Sequence, residues 1–170
     1  MTWRIRPFVS SDSSKLIQTI NAVCGEGRWM KTTRFELTPA WTHALQEPEC
    51  PCHLLLVVED DGRVVGWCRV FPRDGSEDNQ KVVLGIGLLP LYRDRGLGTA
   101  LVRRSLAWAG DAGYRRINLT THPDNARAIH VFQRCGFTFT GKTRGRMLEM
   151  TCALAEHATG AARVNEENPL

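Results

Sequence analysis

The sequence predicts an α/β sandwich with a mixed sheet, and three observations carry that prediction. Two β-rich runs, His53 to Glu59 and Arg63 to Phe71, flank Asp60-Asp61-Gly62, and Asp-Gly between such runs marks a hairpin of antiparallel strands. Strand and helix patterns then alternate along the second half of the chain, and helical crossovers favour parallel neighbours. Helix boundaries are also marked, with Thr38-Pro39 as a start and Gly113 and Gly136 as stops.

Taken in order, Thr2 to Phe8 reads as a first strand, halted near Pro7. Ser11 or Asp12 can cap a helix whose apolar residues Leu16, Ile17, Ile20, Val23 and Cys24 share one face. Gly25-Glu26-Gly27 breaks it, and the helix opened by Thr38-Pro39 ends near Glu47-Pro48. The hairpin follows, then a polar loop from Pro72 to Gln80 and a third β-rich run, Lys81 to Leu89. Gly96 to Ala112 has helical spacing, Arg116 to Thr121 reads as a strand, and Asp124 or Asn125 caps a helix running to Cys135. Phe137 to Thr140 is a short strand. Arg146 to Leu154 is the last, with Leu148, Met150, Cys152 and Leu154 alternating on one face.

A chain of 170 residues suits one domain with a real core, read here as residues 1–155 with 156–170 as a loose tail. Apolar stretches such as Leu54 to Val58 fall far short of the ~20 residues that span a bilayer, and no apolar signal region follows Arg4 and Arg6. The expectation is a cytoplasmic protein without a membrane partner. The net charge of +4 is mild, but Arg93, Arg95, Arg103, Arg104, Arg115 and Arg116 cluster in one stretch. That suits a polyanionic small molecule better than nucleic acid, because no aromatic interleaving or nucleic-acid motif accompanies it. The six cysteines show no zinc-knuckle spacing, and Cys50-Pro51-Cys52 is the only close pair. Reduced, mostly buried thiols and no metal are expected.

The most informative segment is Leu88 to Thr99, where a strand runs through Arg93-Asp94-Arg95-Gly96-Leu97-Gly98 directly into a helix. The first helical turn offers unpaired N–H groups and a positive dipole end, and glycine lets a phosphate approach that backbone. A pyrophosphate fits chemically. An ordinary strand-loop-helix with glycines for the turn is the alternative.

Arg93-x-x-Gly96-x-Gly98, preceded by Pro90-x-Tyr92, resembles the acyl-CoA loop of the GCN5-related N-acetyltransferases (GNAT). Asn125-Ala126-Arg127-Ala128-Ile129 through Gly136-Phe137 resembles that family's later segment, at the family's spacing. Ile5-Arg6-Pro7 and the hairpin before Val64-Val65-Gly66 agree, so the resemblance covers about Arg4 to Leu154. It implies a mixed, mostly antiparallel central sheet with helices on both faces, and acetyl transfer from acetyl-CoA as co-substrate to a primary amine. The acceptor would be a small molecule in preference to a protein, and a homodimer is compatible.

By the same resemblance, Asp94, Arg95, Gly96, Leu97, Gly98 and Thr99 would hold the pyrophosphate, with Arg93 adding charge. Ile86, Gly87 and Leu88 would pair with the pantetheine arm, which requires their strand to splay from the next, and Gly85 and Gly87 are compatible with a bulge there. Asn125 would cap its helix and touch the arm. Phe132 stands where many relatives carry a proton-donating tyrosine, and Thr120 where the branch acetylating ribosomal-protein N-termini carries glutamate. His122 is the candidate base, with a turn into the helix as its other reading. Glu26 and Trp29 are candidates for acceptor recognition, with a solvated glutamate and a packing tryptophan as their other readings.

Two rival readings remain. A domain of this fold that lacks the usual acid could bind acyl-CoA as a sensor without turnover. Gly136-Phe137-Thr138-Phe139-Thr140-Gly141-Lys142-Thr143 satisfies the pattern GxxxxGK[ST]. A helix precedes it and a strand pattern follows, the reverse of a phosphate-binding P-loop.

Overall fold

The structure, a computed structural model, describes residues 2–73 and 80–155. The elements are β1 (Trp3–Pro7), α1 (Ser13–Gly25), α2 (Pro39–Gln46), β2 (Leu54–Asp60), β3 (Arg63–Pro72), β4 (Lys81–Leu88), α3 (Leu97–Asp111), β5 (Arg116–Thr121), α4 (Ala126–Arg134), β6 (Thr138–Arg144) and β7 (Met147–Ala153). Their order is the expected one. Most of the loop expected at Pro72 to Gln80 lies outside the described residues, as does the whole tail 156–170. No described helix is long and apolar enough to cross a membrane.

The strands form one seven-stranded sheet in the order β1-β2-β3-β4-β5-β7-β6. All neighbours are antiparallel except β4 and β5, which the α3 crossover makes parallel. The hairpin turns on Asp61 and Gly62, both at positive φ (48° and 73°), the geometry that Asp-Gly favours. Beyond β5 the crossover expectation is corrected, because α4 leads to β6 but β7 inserts between β5 and β6. Burial explains the choice. β7 buries Met147, Glu149, Met150 and Cys152, whereas no residue of β6 is buried, so the polar strand takes the edge.

The sheet is covered on both faces. Leu55 and Val57 of β2 meet Leu16, Ile20 and Val23 of α1 and Trp41 and Ala44 of α2. The alternate residues Leu56 and Val58 join Leu97, Leu101 and Val102 of α3 and Phe132 of α4 on the other side. This period of two is why Leu54 to Val58 reads as continuously apolar: both faces are buried.

Three local expectations are corrected. Asp12 does not cap α1 with its side chain. Its carboxylate accepts from Arg6 Nη1 and Nη2 (2.7 and 2.9 Å) and from the Val9 N–H (3.0 Å), tying β1 to the 3-10 turn at Ser10–Asp12. The last hairpin is longer than expected, since β6 runs on to Arg144 through a register shift around Gly141, which sits at φ 81°. Cys50 and Cys52 are joined as a disulfide, while Cys24, Cys68, Cys135 and Cys152 are free. The GxxxxGK[ST] segment is the α4 terminator Gly136 (φ 98°) followed by β6 and β7, so no helix opens after it.

Candidate active site

The site begins where β4 and β5 separate. Their pairing holds for Lys81↔Arg116, Val82↔Ile117 and Val83↔Asn118 and then ends, although β4 stays paired with β3 as far as Gly66↔Leu88. The Leu89 N–H donates to the Val65 carbonyl at 2.9 Å. Strand alternation therefore turns the main-chain groups of odd-numbered β4 residues toward β3, and those of Leu84, Ile86 and Leu88 toward the split. An extended ligand arm can pair there as a strand would. Ile86 and Leu88 supply those groups, whereas the main chain of Gly87 faces β3.

The register between β3 and β4 runs without a shift, so the expected bulge at Gly85 and Gly87 does not form. These glycines make room instead. Trp67 and Arg69 of β3 lie opposite them, and a Cβ on Gly87 would collide with the Trp67 indole, while one on Gly85 would come within 2.9 Å of Arg69 Nε. Trp67 is 2% exposed and packed into the core on the α1 and α2 side. Gly87→Ala is expected to destabilise the fold by about 1–3 kcal/mol, as an overpacked core does; a lowered denaturant midpoint at unchanged m-value would show it.

At the end of β4 a 3-10 turn, Pro90–Tyr92, delivers the chain to Arg93, then to Asp94 (φ 58°) and Gly96 (φ 78°), where α3 begins. The Gly96 carbonyl accepts from the Ala100 N–H at 3.1 Å, leaving the N–H groups of Leu97, Gly98 and Thr99 without intrahelical acceptors. A Cβ on Gly98 would meet only Val131, at 3.9 Å. The open space over that first turn is where a phosphate can reach the backbone.

A cleft of about 630 Å³ connects this loop with an aromatic chamber on the α1 and α2 side of the sheet. Ile86, Gly87, Leu88, Arg93, Asp94, Gly96, Gly98, Thr99, Asn125, Phe132 and Trp29 all border it. Leu97 is fully buried in the core and offers only its main chain, and Arg95 is exposed outside the lining. Asn125 Oδ1 caps α4 by accepting from the Ala128 N–H at 3.3 Å.

Other side chains serve differently from their sequence expectation. Arg93 does not present its charge freely: its guanidinium is bidentate to Glu26 (3.0 and 2.6 Å), and its Nε donates to the Leu88 carbonyl (3.0 Å). Glu26 is thereby neutralised and does not border the cleft. The pair clamps the end of α1 to the last residue of β4. Arg127 pairs with Asp94 at 2.9 Å, linking α4 to the pyrophosphate loop.

His122 also lies off the cleft lining; its Nδ1 accepts from the Asp124 N–H at 3.2 Å, the turn role, and its ring meets Trp29 edge-on at 6.0 Å. Phe132 is 5% exposed and packs against Phe137. Sequence reasoning missed Glu36, an exposed carboxylate bordering the chamber, and Phe35, Trp41, Trp67 and Phe71 of its walls. It also missed a cluster away from the cleft, His43, Cys50, Cys52 and His53. The run Cys50-Pro51-Cys52-His53 was its visible signal; His43, one helix upstream, was not.

A family model described as the acetyltransferase (GNAT) family matches residues 17–137, which include the split strands, the glycine loop and the Asn125 cap. The chain belongs to that family. Members with this architecture are numerous among solved structures. A GNAT-family acetyltransferase from Streptococcus pneumoniae superposes with a TM-score of 0.78 at 20% identity, covering 91% of this chain and 100% of that one. A GNAT-superfamily phosphinothricin acetyltransferase from Sinorhizobium meliloti, in complex with AcCoA, does so at 0.76 and 19% identity, covering 92% and 90%. In sequence, the chain is 37% identical over 90 residues to a mycothiol acetyltransferase from Pseudarthrobacter chlorophenolicus. That match takes in 52% of this chain and only 28% of the relative, so about half of this chain is compared with little more than a quarter of a longer protein.

Proposed function

We propose that this GNAT protein is an N-acetyltransferase that moves an acetyl group from acetyl-CoA to a primary amine of a small molecule by direct transfer. The split between β4 and β5, ending at the uncapped first turn of α3, carries the reading. It sets a strand-pairing edge and an anion-binding helix terminus end to end, which matches an extended arm ending in a pyrophosphate.

The thioester supplies the activated acyl group. The chain's own residues bind and orient it: Ile86 and Leu88 hold the arm by main-chain hydrogen bonds, and Leu97, Gly98 and Thr99 hold the phosphates. An unpaired main-chain N–H at the split, near Leu88, is placed to donate to the oxygen on which charge develops. The aromatic chamber beyond the split, open to solvent on one side, receives the acceptor's body, with Trp29 in its wall and Glu36 facing the cationic amine before it loses its proton. A pocket continuous with the loop favours turnover over sensing, because a sensor needs no second chamber. The volume of the cleft, about 630 Å³, also suits a small acceptor.

No side-chain acid stands at Phe132. The leaving thiolate, from a thiol of pKa roughly 8–9, needs less help than an alkoxide would. The value of kcat/KM for a panel amine is therefore expected to climb as the amine deprotonates and to show no falling limb up to about pH 10, where a tyrosine acid would titrate. A descending limb near that pH would assign the proton to another donor.

Thermal shift with acetyl-CoA, followed by thiol release against an amine panel, tests the whole reading. Acetyl-CoA at 100 times its Kd should stabilise by about 2.7 kcal/mol, or roughly 5–10 °C for a chain of this size. A shift without thiol release from any amine would favour the sensor. A shift with Mg-ATP alone would refute the cleft assignment.

A further inference from the structure

His43 lies in the last turn of α2, and Cys50, Cys52 and His53 occupy the connection from α2 to β2. One donor atom from each lies within 4.8 Å of the others. Cys52 Sγ is 3.3 Å from His43 Nε2 and 3.4 Å from His53 Nδ1. Metal–sulfur bonds of about 2.3 Å and metal–nitrogen bonds of about 2.0–2.1 Å at a tetrahedral angle put such donors roughly 3.5 Å apart. Cys52 and the two imidazoles are spaced as ligands around one ion, and Cys50 Sγ, bonded to Cys52 Sγ in this structure, would have to move apart from it on reduction.

From this arrangement we infer that His43, Cys50, Cys52 and His53 form a zinc-type metal site when the two cysteines are reduced. Two thiolates and two imidazoles are the donor set that selects a borderline-soft, tetrahedral divalent ion over magnesium or calcium. Four protein donors leave no open position, so the role is structural. The burial of one imidazole fixes which of its nitrogens is available to the ion. His53 is 6% exposed, and its Nε2 has no hydrogen-bond partner among the described residues. The orphan Nε2 points away from the cluster, and it is Nδ1, the nitrogen facing Cys52 Sγ, that would ligate the ion. His43 is exposed and the two cysteines are half-buried, so an ion can enter.

The disulfide and the metal are alternative states of the same two sulfurs. Two equivalents of a small thiol reduce the disulfide to two thiols and become a disulfide themselves. Zinc binding then releases the two thiol protons to solvent. The ion would staple the end of α2 to the start of β2, next to the stack in which the His53 and Trp41 rings both lie edge-on to Phe71. Trp41 and Phe71 are walls of the chamber, so metal occupancy would fix that wall.

The test uses the full chain, reduced with a phosphine and supplied with zinc or cobalt, and needs no acetyl-CoA, so its outcome is separate from that of the acetyltransferase assignment. Elemental analysis should find a single zinc per chain after desalting. Cobalt should give intense visible ligand-field bands of a tetrahedral site and thiolate charge transfer in the near ultraviolet. His43→Ala and Cys52→Ser should each weaken zinc binding by more than about a hundredfold, with circular dichroism showing that the variants remain folded. Should a variant fail to fold, the cobalt spectrum of the unmodified chain decides. Zinc far below stoichiometry in the reduced protein, a cobalt spectrum without thiolate charge transfer, or folded variants that bind as tightly as the parent would overturn the site.

Discussion

Gly98→Asp is expected to weaken acetyl-CoA binding by at least about a hundredfold while leaving the fold as stable as before, or slightly more so. The two effects have one cause. Gly98 is the second residue of α3, where an acidic side chain interacts favourably with the helix dipole, worth about 0.3–1 kcal/mol. The new Cβ meets nothing closer than 3.9 Å, so it fits the free protein. The same carboxylate occupies the space a phosphate needs and repels it. Removing charge-assisted hydrogen bonds of about 1.5–3 kcal/mol each, and adding repulsion, accounts for the lost affinity. Calorimetric titration with acetyl-CoA and a melting curve without it check both halves. Equal affinity for both proteins would move the pyrophosphate elsewhere.

The second large effect concerns stability. Arg6→Ala should destabilise the protein by about 2–4 kcal/mol, somewhat less than the roughly 3–5 kcal/mol of a fully buried pair, because the guanidinium keeps 23% of its surface while Asp12 keeps 6%. The guanidinium also reaches Glu59 at 2.6 Å, so its loss removes two charged contacts at once, while Arg4 keeps its own bond to Glu59. Hydrogen bonding to Arg6, against the opposing effect of burial, holds the Asp12 carboxyl below its usual range, and Arg6 holds Glu59 low as well. A depressed carboxyl contributes stability that is fully present above its unfolded pKa, near 3.9 for aspartate, and is lost as pH falls through the folded value. The stability gap between parent and variant, followed by denaturant titration, should therefore be constant from about pH 7 to 5 and narrow below about pH 4.

Much of this could be read in the sequence, and the reasons are local. Asp61-Gly62 requires positive φ at both residues, Thr38 and Asn125 cap helices with their own side chains, and Gly96 must adopt a left-handed backbone at the head of α3. Each signal lies within a few residues of its consequence. What escaped depends on distant partners. Glu26 and Arg93 are 67 residues apart, and nothing near either one shows that they neutralise each other. The insertion of β7 beside β5 follows from the burial of Met150 and Cys152 against residues from other strands. Gly85 and Gly87 were legible as special but not as partners of Trp67 and Arg69, since that meaning belongs to the neighbouring strand. His43 joined its cluster only through the fold.

The brevity of the β4–β5 pairing has a mechanical meaning. Within the sheet itself, three residue pairs join strands β1 to β4 to β5, β7 and β6, over a core under α3 that spans both groups. The sheet is thus two plates sharing a short seam, wedged apart below it. On the proposed function, an extended ligand in the wedge would act as the missing stretch of seam, so hydrogen exchange at the facing edges of β4 and β5 is expected to slow when acetyl-CoA binds.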